Sequence, residues 1–275
     1  MLEILKAVLF GIVEGGTEWL PISSTGHLIL LNEFVKLQVS QEFTSMFDVV
    51  IQLGAILAVI VLFFKKLNPF DPRKNEKQRF KTWRLWFMVI LSIIPSGVVG
   101  VLLDDWMDAH LYNYIVVAIM LIVYGVAFLF VEKWNATRKF AITDVTRIDY
   151  RTALLMGTFQ CLSLIPGTSR SGSTILGAIL LGVSRPAGAE FSFFLAIPTM
   201  LGASALKLLK YLLEGLTPSG TEIAVLVTGC LVSFLVSLLV IRVLMDFVRK
   251  RSFAPFGWYR IVLGAAVLGY FLVTN

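Results

Sequence analysis

The chain has 275 residues, of which 57% are hydrophobic and 15% charged, and its mean hydropathy is +0.82. A soluble domain of this size carries far more charge, and the apolar runs exceed what core helices need, so the composition describes a polytopic helical membrane protein. The net charge of +6 gathers in loops without interleaved aromatics, which reads as membrane topology and excludes a nucleic-acid partner.

Taken in chain order, the N-terminus lacks a basic leader followed by a small-residue cleavage site, so no cleavable signal peptide is expected. The segment 2–34 follows, with apolar arms Leu2–Val13 and Leu28–Leu31 around the polar centre EGGTEWLPISSTGH (Glu14–His27). Neither arm is long enough to span a bilayer, which takes about 20 apolar residues. Three crossings are predicted near 46–65, 84–103 and 111–132. A second interrupted segment covers 151–182, with the polar centre QCLSLIPGTSRSGST (Gln160–Thr174), and crossings near 187–213, 221–246 and 256–273 complete the chain. Pro21 and Pro166 break their helices at mid-segment. Irregular polar backbone at membrane depth persists only where protein or a wet cavity surrounds it, so both segments read as re-entrant helical hairpins.

Loop charges support that reading. With neither hairpin crossing, one side receives Lys65, Lys66, Arg73, Lys74, Lys77, Arg79, Lys81, Arg84, Lys133, Arg138, Lys139, Arg147, Arg151, Arg249, Lys250 and Arg251. The other receives Asp104, Asp105, Asp108, Lys36 and the Lys/Arg-free loop 214–221. That is a positive-inside pattern with both termini outside. A single crossing at the second hairpin would put Arg249–Arg251 on the wrong side. The two segments also match each other: Gly11 with Gly157, Glu14 with Gln160, and Pro21–Gly26 with Pro166–Gly172. Each half is a hairpin plus three crossings, an odd number, so the halves are inverted. The expected architecture is an all-α, single integral membrane domain over 1–275 with repeat halves of roughly 1–135 and 150–275, and a site near the midplane.

Ionisable groups at membrane depth cost roughly 3 kcal/mol each and tend to mark function. After each proline the chain resumes with small and hydroxylated residues: Ser23, Ser24, Thr25 and Gly26 in one hairpin, Thr168, Ser169, Ser171, Gly172 and Ser173 in the other. Such turns open helices whose free N–H groups favour phosphate, and Arg170 adds a planar fork for phosphate oxygens. Glu14 and Glu18 share a helix face, and Ser24 and His27 are close enough for an imidazole to activate a hydroxyl. The set points to phosphoryl transfer, and the paired carboxylates could also hold Mg²⁺ or Ca²⁺. Thr17, Ser163 and Thr174 read as packing residues, Asp48 and Glu190 as carboxylates near helix starts, Pro186 as a helix-start residue, Gln52 as a buried group for packing or a supporting hydrogen bond, and His110 as a solvated loop residue. Cys161 and Cys230, both in apolar runs, read as small buried hydrophobes rather than a disulfide or metal framework.

These motifs resemble the undecaprenyl-diphosphatase family, also called bacitracin-resistance proteins. The likeness runs through EGGTEWLPISSTGH, FDVVIQLGAILAV (47–59), PGTSRSGST (166–174) and SRPAGAEFSFFLAIP (184–198). The resemblance implies an integral enzyme of the bacterial cytoplasmic membrane, open to the outer side, that removes the terminal phosphate of undecaprenyl diphosphate and confers bacitracin resistance. It also implies a divalent-metal requirement. By the same resemblance, the acidic motif falls on Glu14 and Glu18, the serine–histidine pair on Ser24 and His27, and the phosphate-binding arginine on Arg170. The expected partners are the lipid substrate and membrane lipid, and a homodimer is compatible with the chain. A lipid-phosphate flippase using the same midplane site is the main rival. A histidine-nucleophile lipid phosphatase would need a second histidine motif, and His110 lacks the accompanying arginine.

Overall fold

The computed structural model describes residues 1–274, with the side chains of Asp104, Asp105, Asp108 and Thr274 outside the description. The described residues are helical throughout, apart from loops and one isolated bridge between Ile142 and Val183. The first half contains α1 (Leu2–Thr17), α2 (Ser24–Phe34), α3 (Gln41–Val50), α4 (Gln52–Leu62), α5 (Phe64–Leu67), α6 (Glu76–Leu111) and α7 (Tyr114–Trp134). The second contains α8 (Tyr150–Cys161), α9 (Arg170–Leu180), α10 (Arg185–Leu213), α11 (Gly220–Lys250) and α12 (Ala254–Thr274).

Six of these units are long and apolar enough to cross a membrane: Gln41–Leu62, Glu76–Leu103, Tyr114–Trp134, Arg185–Leu213, Gly220–Lys250 and Ala254–Val273. They coincide with the six predicted stretches; the first two begin five and eight residues earlier than predicted, the third three residues later, and the others within two residues. The earlier starts come from capping. Ser40 accepts from the Phe43 N–H, and Asn75 with Gln78 and Ser219 with Glu222 form capping boxes, so the helices start in polar sequence before the apolar run. Two expectations change with the boundaries. Asp48 lies well inside the span that begins at Gln41, not at a helix start, and its carboxylate accepts from Asn32 Nδ2 at 3.2 Å. His110 sits in the last turn of α6 rather than in a loop, stacked on Trp106 and bonded through Nδ1 to the Trp106 carbonyl. The expected acidic trio, Asp104, Asp105 and Asp108, falls among the side chains outside the description. Glu190, on α10, is paired with Lys66 at 2.6 Å.

At both interrupted segments, hydrogen bonds link residues near the segment's start to residues near its end. At the first, Lys6 Nζ donates to the Lys36 carbonyl at 2.6 Å and the Gln38 N–H to Glu3 at 2.7 Å. At the second, Arg138 donates to the Leu180 carbonyl, the Ala141 N–H to the Gly182 carbonyl, and Arg84 to the Ile148 carbonyl just before α8. Ser40, after the first segment, reaches Glu222 at the start of α11, whereas Arg249 near the end of α11 lines a cleft of about 450 Å³ with Lys66, Lys81 and Thr146. The 31-residue α11 separates those two ends by about 45 Å at 1.5 Å per residue.

Helices of the first half pack on helices of the second. α1 packs on α11 as α8 packs on α6, α7 packs on α12, and α4 on α10. The matched glycines explain the close approach. A Cβ on Gly11 would lie 2.7 Å from the Gly229 carbonyl oxygen, and one on Gly157 would overlap the Ser92 carbonyl. Neither pair of helices could approach so closely with a side chain at those positions.

Candidate active site

The two breaks have one geometry. Ser23 and Ser169 are the only described non-glycine residues with positive φ, at 72° and 73°. Each is the N-cap of the following helix, and each hydroxyl accepts from the N–H three residues on, Gly26 at 3.3 Å and Gly172 at 3.1 Å. Left-handed backbone at a serine is strained, and it concentrates where function demands a particular aim. The structural register therefore runs Ser23 to Ser169 and sets Ser24 against Arg170 as the first residues of α2 and α9.

Those two equivalent residues meet on one carboxylate. Glu18, at the end of α1 and 5% exposed, accepts from Ser24 Oγ at 2.6 Å through Oε2 and from Arg170 Nη2 at 3.0 Å through Oε1. Arg170 Nη1 donates to the Ser192 carbonyl at 2.8 Å, and the guanidinium lies 5.9 Å from the Trp19 ring. Arg170 Nε is buried without a partner. Beside them is a cavity of about 130 Å³, lined by Glu18, Ser23, Ser24, Thr25, Ser163, Gly167, Ser169 and Arg170 from the two broken segments, together with Gln52, Tyr112 and Thr199.

The expected site residues thus divide. Ser23, Ser24, Thr25, Ser169, Arg170 and Glu18 reach the cavity. Gly26 and Gly172 spend their N–H groups on the caps. Ser171 donates to the carbonyls of Glu18 and Leu20, tying the second break to the first, and Ser173 donates to the Arg170 carbonyl. Thr168 is fully buried with its hydroxyl unpartnered. The expected Ser24–His27 hydrogen bond is replaced by other contacts. His27 Nδ1 bonds the Ser23 carbonyl at 2.7 Å, its Nε2 bonds the Tyr259 hydroxyl at 2.7 Å, and the two rings stack. A carbonyl only accepts, so Nδ1 carries the proton and Tyr259 donates to Nε2.

Tyr259 and Arg260 were not singled out in the sequence; the available signal for Arg260 was its charge inside the apolar crossing predicted near 256–273, whereas Tyr259 carries no such mark. Gln52, expected in packing or as a supporting hydrogen-bond group, lines the cavity. Ser163, taken as packing, also reaches the cavity.

Glu14 is fully buried, and neither of its carboxylate oxygens has a hydrogen-bond partner. That orphaned oxygen pair suits a hard cation. No group of three or more His, Cys, Asp or Glu forms a metal cluster among the described residues. Glu14 is not among the residues that line the cavity, so of the two carboxylates expected to hold a divalent ion only Glu18 faces it.

The profile of the family described as bacitracin resistance protein BacA matches residues 7–266. A Lactiplantibacillus plantarum protein named undecaprenyl-diphosphatase is 58% identical over 275 residues, covering 100% of both chains. Another of that name, from Streptococcus thermophilus, is 57% identical over 270 residues, 98% of this chain and 94% of its own. Undecaprenyl-diphosphatase 1 of Clostridioides difficile is 58% identical over 273 residues, 99% of this chain and 98% of its own. A profile match along nearly the whole chain, with relatives this similar over their full lengths, makes this chain a member of the bacitracin resistance protein BacA family.

Proposed function

We propose that this chain is an undecaprenyl-diphosphate phosphatase that releases the terminal phosphate at the outer face of the bacterial cytoplasmic membrane, regenerating the monophosphate carrier for peptidoglycan synthesis and giving bacitracin resistance. The observation that carries the mechanism is the convergence of Ser24, Glu18 and Arg170 on one cavity, with a buried Arg170 Nε donor still unspent. A phosphate oxygen entering that cavity takes the free donor.

In this reading Ser24 Oγ attacks the terminal phosphorus and Glu18 accepts its proton through the existing 2.6 Å hydrogen bond. The P–O bond to the bridging oxygen breaks, and undecaprenyl phosphate leaves with that oxygen. Water then cleaves the phosphoserine, giving free phosphate and restoring the hydroxyl. Arg170 holds the equatorial oxygens and stabilises their charge. His27, held on Ser23 and Tyr259, orients the first turn. Glu14, with Glu18 beside it, would hold a divalent cation, which when bound neutralises phosphate charge.

The hairpins are re-entrant and enter from opposite faces, so both helix N-termini face one headgroup. The hydrogen bonds between the start and end of each segment, and the separation of those ends along α11, support this arrangement. The same inverted pairing suits a lipid-phosphate carrier. Purified protein given undecaprenyl diphosphate distinguishes the two. Phosphate release, with label trapped on Ser24 after acid quench, is the expected result; no release at any metal concentration favours the carrier, and full activity in Ser24→Ala sinks the nucleophile.

A further inference from the structure

Arg260 lies in α12, outside both motifs, and its side chain is fully buried. None of the ion pairs among the described residues includes it. Its donors go instead to backbone carbonyls at the two breaks. Nη1 reaches the Pro21 carbonyl at 3.0 Å, and Nη2 reaches those of Gly167 at 2.7 Å and Thr168 at 2.9 Å. From behind, Nε and Nη2 contact the carbonyls of Leu121 and Met120 on α7 at 3.4 and 3.3 Å, and the guanidinium lies 5.4 Å from the Tyr124 ring.

Carbonyls at a broken helix have lost their usual N–H partners, and at membrane depth no bulk water replaces them. A planar fork with five N–H donors can satisfy several at fixed angles, which an ammonium cannot. Pro21 and Gly167 belong to different halves of the chain. A single rigid group bonded to both fixes their separation, and Ser24 and Arg170 follow those turns by only three residues each. Arg260 itself is absent from the cavity lining, though Gly167, whose carbonyl it holds, is part of it.

We propose that Arg260 is a positioning residue: its guanidinium clamps the two turns to each other and to α7, setting the placement of the Ser24 hydroxyl relative to the Arg170 fork. The proposal rests on the phosphatase reading for its effect on turnover, but its effect on headgroup binding does not need turnover. Misplacing reacting groups by about 1 Å can cost on the order of a hundredfold in rate.

The test uses the full-length protein in detergent, taking only the monodisperse fraction of each variant. Arg260→Lys keeps the charge and loses the fork. Arg185→Lys, which alters a guanidinium bonded to Glu132 on the cleft side of the molecule, is the control for general destabilisation. For Arg260→Lys the expected result is a fall in kcat of about tenfold or more, and a loss of about fivefold or more in affinity for inorganic pyrophosphate by titration calorimetry. Arg185→Lys leaves both at wild-type values per folded molecule. Wild-type kcat and pyrophosphate affinity in Arg260→Lys, or equal losses in both variants, overturn the proposal. If wild type binds pyrophosphate but releases no phosphate from the lipid, the phosphatase reading fails while the affinity comparison still decides the role of Arg260. Should Arg260→Lys not fold, Tyr124→Leu removes the ring beneath the guanidinium and spares its carbonyl contacts. Weaker pyrophosphate binding there supports the clamp, and wild-type affinity overturns it.

Discussion

Glu18 divides its two carboxylate oxygens between the Ser24 hydroxyl and the Arg170 guanidinium, and in the proposed mechanism that division lets one carboxylate serve as base while it holds the arginine. Glu18→Gln keeps the shape, removes the negative charge, and should lower kcat by about 10²–10⁴-fold, read as phosphate release. His27 is held two ways, by a carbonyl below and a tyrosine hydroxyl above. Tyr259→Phe preserves the ring stack and loses the hydroxyl, so the expected fall in kcat stays below about tenfold. A loss in Tyr259→Phe as severe as that of Glu18→Gln would return the base role to His27. The partners of Tyr259 and Arg260 could not be read from the sequence, since His27 and the carbonyls of Pro21 and Gly167 lie more than 90 residues away.

The helices of the two broken segments, α1, α2, α8 and α9, are 11–16 residues long and pack on the longer ones. The contact that positions α8 is backbone on backbone: Gly157 presses on the Ser92 carbonyl of α6, and the Ser92 hydroxyl donates to the Ala153 carbonyl at 2.7 Å. A methyl there has no space. Gly157→Ala should destabilise the protein by about 1–3 kcal/mol, seen as a lower thermal unfolding midpoint in detergent. Gly16→Ala, with nothing within 4 Å of the added methyl, is the matched control and should leave the midpoint unchanged. Elements were largely legible in the sequence because apolar length and proline breaks are local properties. Their starts were not, because hydropathy marks the lipid-facing stretch while capping side chains such as Ser40 and Asn75 begin the helix earlier.

At the scale of the molecule, α1 packs on α11 and α8 on α6, so helices from the N-terminal and C-terminal parts of the chain interlock. The membrane arrangement can be read by thiol labelling. Lys36 and Lys77 are exposed and lie at ends expected on opposite faces. With an impermeant thiol reagent on intact cells, Lys36→Cys should label from outside and Lys77→Cys only after permeabilisation. Labelling of both from one side would break the inverted arrangement. The native thiols Cys161 and Cys230 are half-buried and bonded to helix carbonyls, so they contribute little background.

The sequence by itself determined that this is a helical membrane protein with six crossings and two proline-broken segments, and it identified the acidic, hydroxyl and arginine residues of both breaks. Those follow from composition, apolar length and the energetic cost of charge in lipid, all of which act along the chain. Only the tertiary structure decided the partners: Ser24 with Glu18 rather than His27, Arg170 on the same carboxylate, and Arg260 across both turns. A hydrogen bond depends on distance and direction in space, and the two motifs are 152 residues apart at the Glu18–Arg170 contact. The close approach of the two breaks fixes those distances.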